Sequence, residues 1–315
     1  MLSALDPGST VAMEATGKYH RLLANTAHCL GFHVLVLNPK DVHKYRDSIS
    51  PRAKTDKVDS GTIADFAQVR NHTPYRPLPP VVEKLRNLVR LRSSLVKQRV
   101  AHNNQLSECP DDCEILSPIV DCIGVCVKQI DKKIVEMAKE FASFAPLLDV
   151  PGFGTLTSAY MLALLLSGTF RSSDSFVAFI GLDLRVRDSG KKAGKRCLTK
   201  RGDPEARRLL YLAALAASRM DGPFKQLYQR YRLYGYSSTQ ATVVVARKLA
   251  RVAWAIHTKG IPYYSDRVLN PPLHKRVSLR TAFSIIARSR CRRERSRPQT
   301  NRQEAKETLC PNKIT

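Results

Sequence analysis

No stretch of this sequence is apolar for long enough to cross a bilayer. The most apolar piece, AYMLALLLSG from Ala159, is too short to span and reads as a buried helix. No secretory signal opens the chain, so the expected location is cytoplasmic, in association with the nucleoid and with no membrane partner. Acid is also in short supply: 27 Asp and Glu stand against 52 Lys and Arg, a formal charge of +25 over 315 residues. Solubility does not require such an excess. It suits a polyphosphate partner, DNA or RNA. Cysteine is present, but Cys109, Cys113, Cys122 and Cys126 leave three residues between partners where structural zinc pairs usually leave two. At Cys122 and Cys126 that spacing marks one face of a helix, and a reducing cytosol disfavours disulfides.

What is present divides the chain into four parts. Residues 1–75 read as α/β. STVAMEATG begins as a strand with Glu14 at its C-terminal end, and a helix follows from Lys18 to Leu30 with Leu22, Leu23, Ala27 and Leu30 inward. HVLVLNP is a second strand, apolar enough to be buried on both sides. After a basic loop, AKTDKVDSGTIADF starts a helix with Val58, Ile63, Phe66 and Val69 as its buried stripe. The Pro-rich TPYRPLPP closes this part. Residues 76–145 read as an antiparallel helical hairpin, a spacer or an oligomerisation element. Val81, Leu85, Leu88, Leu91 and Leu95 line one helix, and Ile123, Val127, Ile130, Ile134, Met137 and Phe141 line its return.

Residues 146–260 open with VPGFGTLTSAYMLALL. Gly152 and Gly154 lead directly into an apolar helix, as in a helix–hairpin–helix turn that holds a DNA phosphate on backbone N–H groups. A plain turn between core helices fits equally well. A basic, glycine-punctuated run follows, in which Asp203 and Pro204 supply the N-cap and first position of a new helix. Arg187, Lys191, Lys192, Lys195, Arg196, Lys200, Arg201, Arg207 and Arg208 make this run the expected nucleic-acid contact. A last helix runs from about Ser238 to His257. Residues 261–315 are charged, with little to bury, and are expected to be a disordered basic tail.

Asp56 and Asp59 stand three apart at a helix start. Asp56 has the side chain to cap the first turn, and acids there suit the helix dipole. The pair is either half of a metal site or only a well-capped helix start.

VAMEATGKYH, LNPKDVHKYR, AKTDKVDSGTIADF, DVPGFGTLTSAYMLA, FVAFIGLDLRVRDSG and LTKRGDPEARRLLYLAALAA occur in this order. Together they resemble the DEDD transposases of bacterial insertion sequences, the Piv/MooV-like group, over Thr10 to Ile256. The resemblance implies a RuvC-like domain of RNase H fold, a coiled-coil spacer and a mainly helical transposase domain. It implies a divalent cation, Mg²⁺ or Mn²⁺, on Glu14, Asp56 and Asp59, and a nucleophilic serine at Ser189. It further implies DNA partners (element ends and target), a structured guide RNA and a homo-oligomer. Without it, Ser189 before glycine in a basic loop reads as a turn, and no neighbouring residue identifies its base.

One member of the family's carboxylate tetrad lacks a counterpart. Only thirteen residues precede Glu14, and Asp6 lies in a turn-like stretch directly before its strand. The sequence therefore reads as N-terminally truncated, through an upstream start or as a decayed copy. Three functions follow: a transposase or site-specific recombinase, a remnant that only binds DNA or RNA, and a RuvC-like junction nuclease needing carboxylates but no serine.

Overall fold

A computed structural model describes residues 5–6, 8–17, 19–49, 56–69, 71–108, 113–185 and 197–269, with backbone only at 56–58, 113, 267 and 269. It forms two compact units, Met1–Glu83 and Lys84–Thr315. The expected tail beyond residue 269 lies outside the described residues.

The first unit is built on two parallel strands, β1 (Thr10–Glu14) and β2 (His33–Leu37), paired from Thr10–His33 to Glu14–Leu37. Helix α1 (Tyr19–Cys29) makes the crossover between them. Alternation along the strands gives the sheet two apolar faces. Val11, Met13, Val34 and Val36 pack with Ala24 and Ala27 of α1. Ala12, Leu35 and Leu37 pack on the other face with Val42, Tyr45, Ile63, Phe66 and Ala67. The inner face of α1 thus differs from the expected one. Leu22, Leu23 and Leu30 are exposed, and Ala24 with Ala27 turn inward, because small side chains let the helix lie close to the strands.

The expected basic loop after β2 is a helix, α2 (Pro39–Ile49). Asn38 Oδ1 accepts from the Lys40 N–H at 3.0 Å, and Pro39 occupies the first helical position, a capping signal that the basic composition obscured. Helix α3 (Asp56–Val69) buries Phe66, with Ile63 and Ala67 beside it, whereas Val69 is exposed. The Pro-rich segment is tied back by Tyr75, whose N–H donates to the Val34 carbonyl at 2.8 Å and whose hydroxyl donates to Asn25 Oδ1 at 2.8 Å.

The second unit is mainly helical. Helix α4 (Pro80–Glu108), which begins at the end of the first unit, and α5 (Cys113–Lys139) form the hairpin, joined by Arg92, which donates both Nε and Nη2 to Asp131. The buried stripe of α4 is Val82, Leu85, Val89 and Ser93; of the expected stripe Leu85 is buried, Leu88 and Leu95 are half-buried, and Val81 and Leu91 face outward. The α5 stripe of Val127, Ile130 and Ile134 is as expected, while Cys122 is exposed and Cys126 half-buried. Short α6 (Phe144–Leu148) and the Gly152 turn lead into α7 (Thr155–Leu165), buried from Thr157 onward. At about 1.5–3 kcal/mol for each buried large apolar side chain, Met161, Leu162, Leu164 and Leu165 make α7 the centre of this core.

On it pack α9 (Pro204–Ala217) and α11 (Ser238–Lys259), and against these two pack α8 (Ser173–Ile180) and α10 (Pro223–Leu233). A two-residue hairpin, β3 (Leu184–Arg185) with β4 (Cys197–Leu198), lies before α9, and α12 (Asp266–Leu269) follows α11. No helix among the described residues is long and apolar enough to cross a membrane.

Candidate functional site

Glu14 is the last residue of β1 and half-buried. It shares strand parity with Thr10 and Ala12, so its side chain belongs to the sheet face that carries α2 and α3. Asp59 precedes Ile63 by four residues and Phe66 by seven, which places it on the sheet-facing stripe of α3. A groove of about 790 Å³ is lined by Thr10, Val11 and Ala12 of β1 and by α3 from Ser60 to Gln68, so the helix lies along this strand.

Asp59 has a partner of its own. Arg46 Nη1 of α2 donates to its Oδ1 at 3.2 Å, and both side chains are partly exposed. Oδ2 of the same carboxylate has no protein hydrogen bond among the described residues. Asp56 is the first residue of α3, and its side chain lies outside the described residues. Among those described, no three His, Cys, Asp or Glu side chains form a metal-holding group. The donors that are described, two carboxylates at a strand end and a helix start, are the hard oxygens that Mg²⁺ or Mn²⁺ takes, and in chemistry they fit such an ion. Asp6 lies in a turn closed by the Ser9 N–H on its carbonyl at 3.1 Å.

In the second unit Ser189, Arg187, Lys191, Lys192, Lys195 and Arg196 lie outside the described residues. The chain on either side of them is closed into a loop base. Leu184 pairs with Leu198 and Arg185 with Cys197, the Thr199 hydroxyl donates to the Asp183 carboxylate, and the Thr199 N–H donates to the Asp183 carbonyl at 3.0 Å. Lys200 and Arg201 are exposed just beyond it. Arg207 and Arg208 make bonds within the fold. Arg207 donates to the Ile180 carbonyl at 3.0 Å, and Arg208 Nε donates to Glu205 Oε2 at 3.0 Å while its Nη2 reaches Ser93 at 3.3 Å.

Gly152 and Gly154 differ in role. Gly152 has φ +84°, and a Cβ there would meet the Ala213 carbonyl oxygen of α9 at 2.2 Å, so the turn needs glycine for close packing. Gly154 is exposed, with φ −98°, and caps α7 in open space. The first N–H groups of α7 are at its side.

Sequence reasoning found the Asp203 cap but missed its other partners. Oδ1 accepts the Glu205 and Ala206 N–H groups, while Oδ2 accepts from Arg90 Nη2 at 2.7 Å and from the Tyr160 hydroxyl at 2.8 Å. Burial opposes the Asp203 charge, but the bonds from Tyr160, Arg90 and the Ala206 N–H outweigh it and hold the carboxyl below its usual range. Burial first, then the Asp203 charge, push the Tyr160 hydroxyl up to about 12. Arg86 and Arg90, one turn apart on α4, were the available signal. This cluster fixes the start of α9, directly after the loop base, against α4 and α7.

Comparison with known proteins matches both units. A DEDD transposase profile of the IS110 type, described as "Transposase", matches residues 2–112. A second, "Transposase IS116/IS110/IS902 family", matches residues 144–229. The pilin gene-inverting protein of Moraxella lacunata is 28% identical over 266 residues, covering 80% of this chain and 80% of that protein. The transposase for insertion sequence element IS1328 of Yersinia enterocolitica is 27% identical over 295 residues, covering 81% and 85%. With one profile on the Glu14–Asp59 segment and the other on the segment containing Ser189, in the family's order, the chain belongs to the IS110-type DEDD transposases of insertion sequences.

Proposed function

We propose that this chain is a DNA recombinase that moves or inverts a DNA segment, using a carboxylate-held divalent cation and a serine nucleophile. One observation carries the reading: two transposase profiles lie in order on one chain, over the Glu14–Asp59 segment and the segment containing Ser189. The inversion named in the Moraxella relative and the transposition named in the Yersinia one are both breakage and rejoining of DNA.

Glu14, Asp56 and Asp59 would hold Mg²⁺ or Mn²⁺, which when bound would orient phosphate oxygens and offset their charge. Arg46 holds Asp59 in place and balances its charge before DNA arrives. Ser189 Oγ attacks a backbone phosphorus. The bond to one deoxyribose oxygen breaks, that oxygen takes up a proton, and the serine is left as a phosphodiester to DNA. Attack by a different DNA hydroxyl reverses these changes and frees the serine, so no external energy source is needed. Arg187, Lys191, Lys192, Lys195 and Arg196 supply positive charge for the five-coordinate phosphorus of the transition state. The RuvC-like assignment of the first unit, a structured guide RNA and a homo-oligomer belong to the same proposal. The net charge of +25 supports nucleic-acid partners.

A binding-only role is the second reading. It is favoured by the net charge of +25, which grips phosphates without any catalytic group. The test is a denaturing gel of labelled element-end DNA incubated with protein and Mg²⁺. A protein–DNA adduct is expected and is lost in Ser189→Ala, with DNA binding unchanged. An adduct that persists in Ser189→Ala overturns the choice of nucleophile. No adduct, alongside retained DNA binding, selects the second reading.

A further inference from the structure

The turn between α10 and α11 carries a group of side chains that none of the roles above uses. Tyr231 and Arg232 end α10, Tyr234-Gly235-Tyr236 reverses the chain, and Ser237 caps α11. Every residue from Arg232 to Gln240 is exposed. Even so, the rings are fixed. Half-buried Tyr231 meets Tyr234 edge-on at 6.0 Å and Tyr236 edge-on at 5.1 Å. Arg232 Nη1 donates to the Tyr236 carbonyl at 2.7 Å, the Tyr228 and Ser238 hydroxyls share a hydrogen bond of 2.9 Å, and a Ser237–Gln240 capping box holds the far side. Tyr234 and Tyr236 remain 39% and 42% exposed, with Leu233 beside them at 86%.

The charge along this part of the sequence has one sign. No Asp or Glu occurs between Asp221 and Asp266, while Arg230 and Arg232 occupy the last turn of α10 and have no carboxylate partner among the described residues. Fixed aromatic faces next to unpaired guanidinium groups match the chemistry of a nucleic-acid strand whose bases are unstacked. The rings meet the bases and the cations meet the phosphates. A protein partner would require acids to complement the arginines, and an intact duplex hides its base faces.

We propose that Tyr234 and Tyr236 form a stacking platform for unpaired DNA bases, with Arg230 and Arg232 on the adjoining phosphates. This rests on the recombination reading, because strand exchange opens base pairs and leaves bases in need of shelter. The platform is a second DNA contact, on the turn between α10 and α11, separate from the basic run before α9.

The test measures anisotropy of the full chain with a labelled thymidine oligonucleotide, a duplex of equal length and a uridine oligonucleotide. Changing both Tyr234→Ala and Tyr236→Ala is expected to weaken thymidine-strand binding about tenfold or more and leave duplex binding within about twofold. Tyr234→Phe with Tyr236→Phe keeps the rings and is expected to keep the affinity. Crosslinking of the unmutated chain to a 5-iododeoxyuridine strand, mapped by mass spectrometry, should mark Tyr234 or Tyr236 whatever the stability of the alanine variant. Unchanged single-strand affinity, or crosslinks only elsewhere, overturns the platform while duplex binding leaves the recombination reading intact. A larger loss on the uridine strand assigns the surface to RNA and overturns the DNA choice. Self-association that disappears in the alanine variant overturns it in favour of a second copy. No binding of any probe by the unmutated chain rejects both this proposal and the recombination reading.

Discussion

Asp203 Oδ2 accepts from Arg90 Nη2 at 2.7 Å, across 113 positions of sequence, while Oδ1 of the same carboxylate caps α9. Arg86 stands 3.5 Å from that Oδ2, with its own side chain only 13% exposed. Asp203→Asn should keep the cap, since asparagine caps about as well, and lose the charge. Arg86 and Arg90 then face a neutral amide where the carboxylate stood. The expected cost is about 2–3 kcal/mol, at the lower end for a buried pair because Arg90 is partly exposed to water. A chemical denaturation curve of the variant against the unmutated chain measures it. A shift below about 0.5 kcal/mol would show that the cap alone matters.

The same cluster sets a pH dependence at both extremes. The Asp203 carboxyl is lowered in the folded state, so its contribution is present above the ordinary aspartate value of about 3.9 and is lost as pH falls below that. The Tyr160 hydroxyl is raised from 10.0 to about 12. Its contribution is complete below pH 10 and disappears as pH rises through about 12, because the unfolded chain ionises first. Burial also raises Tyr75 and Tyr263, but alkaline difference spectroscopy should show a tyrosine titrating at about 12, and Tyr160→Phe should remove that phase. A late phase that remains in Tyr160→Phe assigns it to another tyrosine.

Gly152→Ala and Gly154→Ala separate the two roles of the α6–α7 turn. Alanine at 152 must adopt φ +84° and drive its Cβ toward the Ala213 carbonyl, so a loss of at least about 2 kcal/mol is expected. Alanine at 154 meets nothing within 4 Å and should cost under about 1 kcal/mol. If this turn holds phosphate on backbone N–H groups, Gly154→Ala should still weaken DNA binding, because its methyl stands at the entrance to α7. Unchanged duplex affinity in Gly154→Ala would leave the turn with a packing role only.

Strand parity, the Asp203–Pro204 helix start and the buried α7 were legible because each depends on a short, local pattern. Helix faces were harder to read. On α1 leucine marks the outside and alanine the inside, since the distance to the sheet, which local sequence does not encode, selects the small side chains. On α4 the leucines repeat in a plausible phase, but the stripe that packs is Val82, Leu85 and Val89. Helix α2 was concealed by its charge, although Asn38-Pro39 announced it. The Tyr160–Asp203–Arg90 cluster needs three distant segments at once; Arg86 and Arg90, one turn apart, mark one of them, and no local pattern joins it to the other two.

The carboxylate site has the sharpest test at Asp59. It lies on the sheet-facing stripe of α3, and Arg46 donates to its Oδ1 at 3.2 Å. Two roles compete for this side chain: metal ligand, or acid near a helix start steadied by an arginine. Asp59→Asn distinguishes them. The ion pair with Arg46 is partly exposed on both sides, so its loss should cost at most about 1 kcal/mol, with a similar small term from the helix dipole. A neutral amide oxygen replaces a carboxylate poorly on a hard cation, so Mn²⁺ affinity should fall about tenfold or more. Electron paramagnetic resonance of free Mn²⁺ reads that directly on this chain without requiring turnover, and a thermal melt alongside reads stability. A ligand role gives weakened Mn²⁺ binding with a nearly unchanged melt. Equal Mn²⁺ affinity in Asp59→Asn and the unmutated chain would make Asp59 only a charge near a helix start.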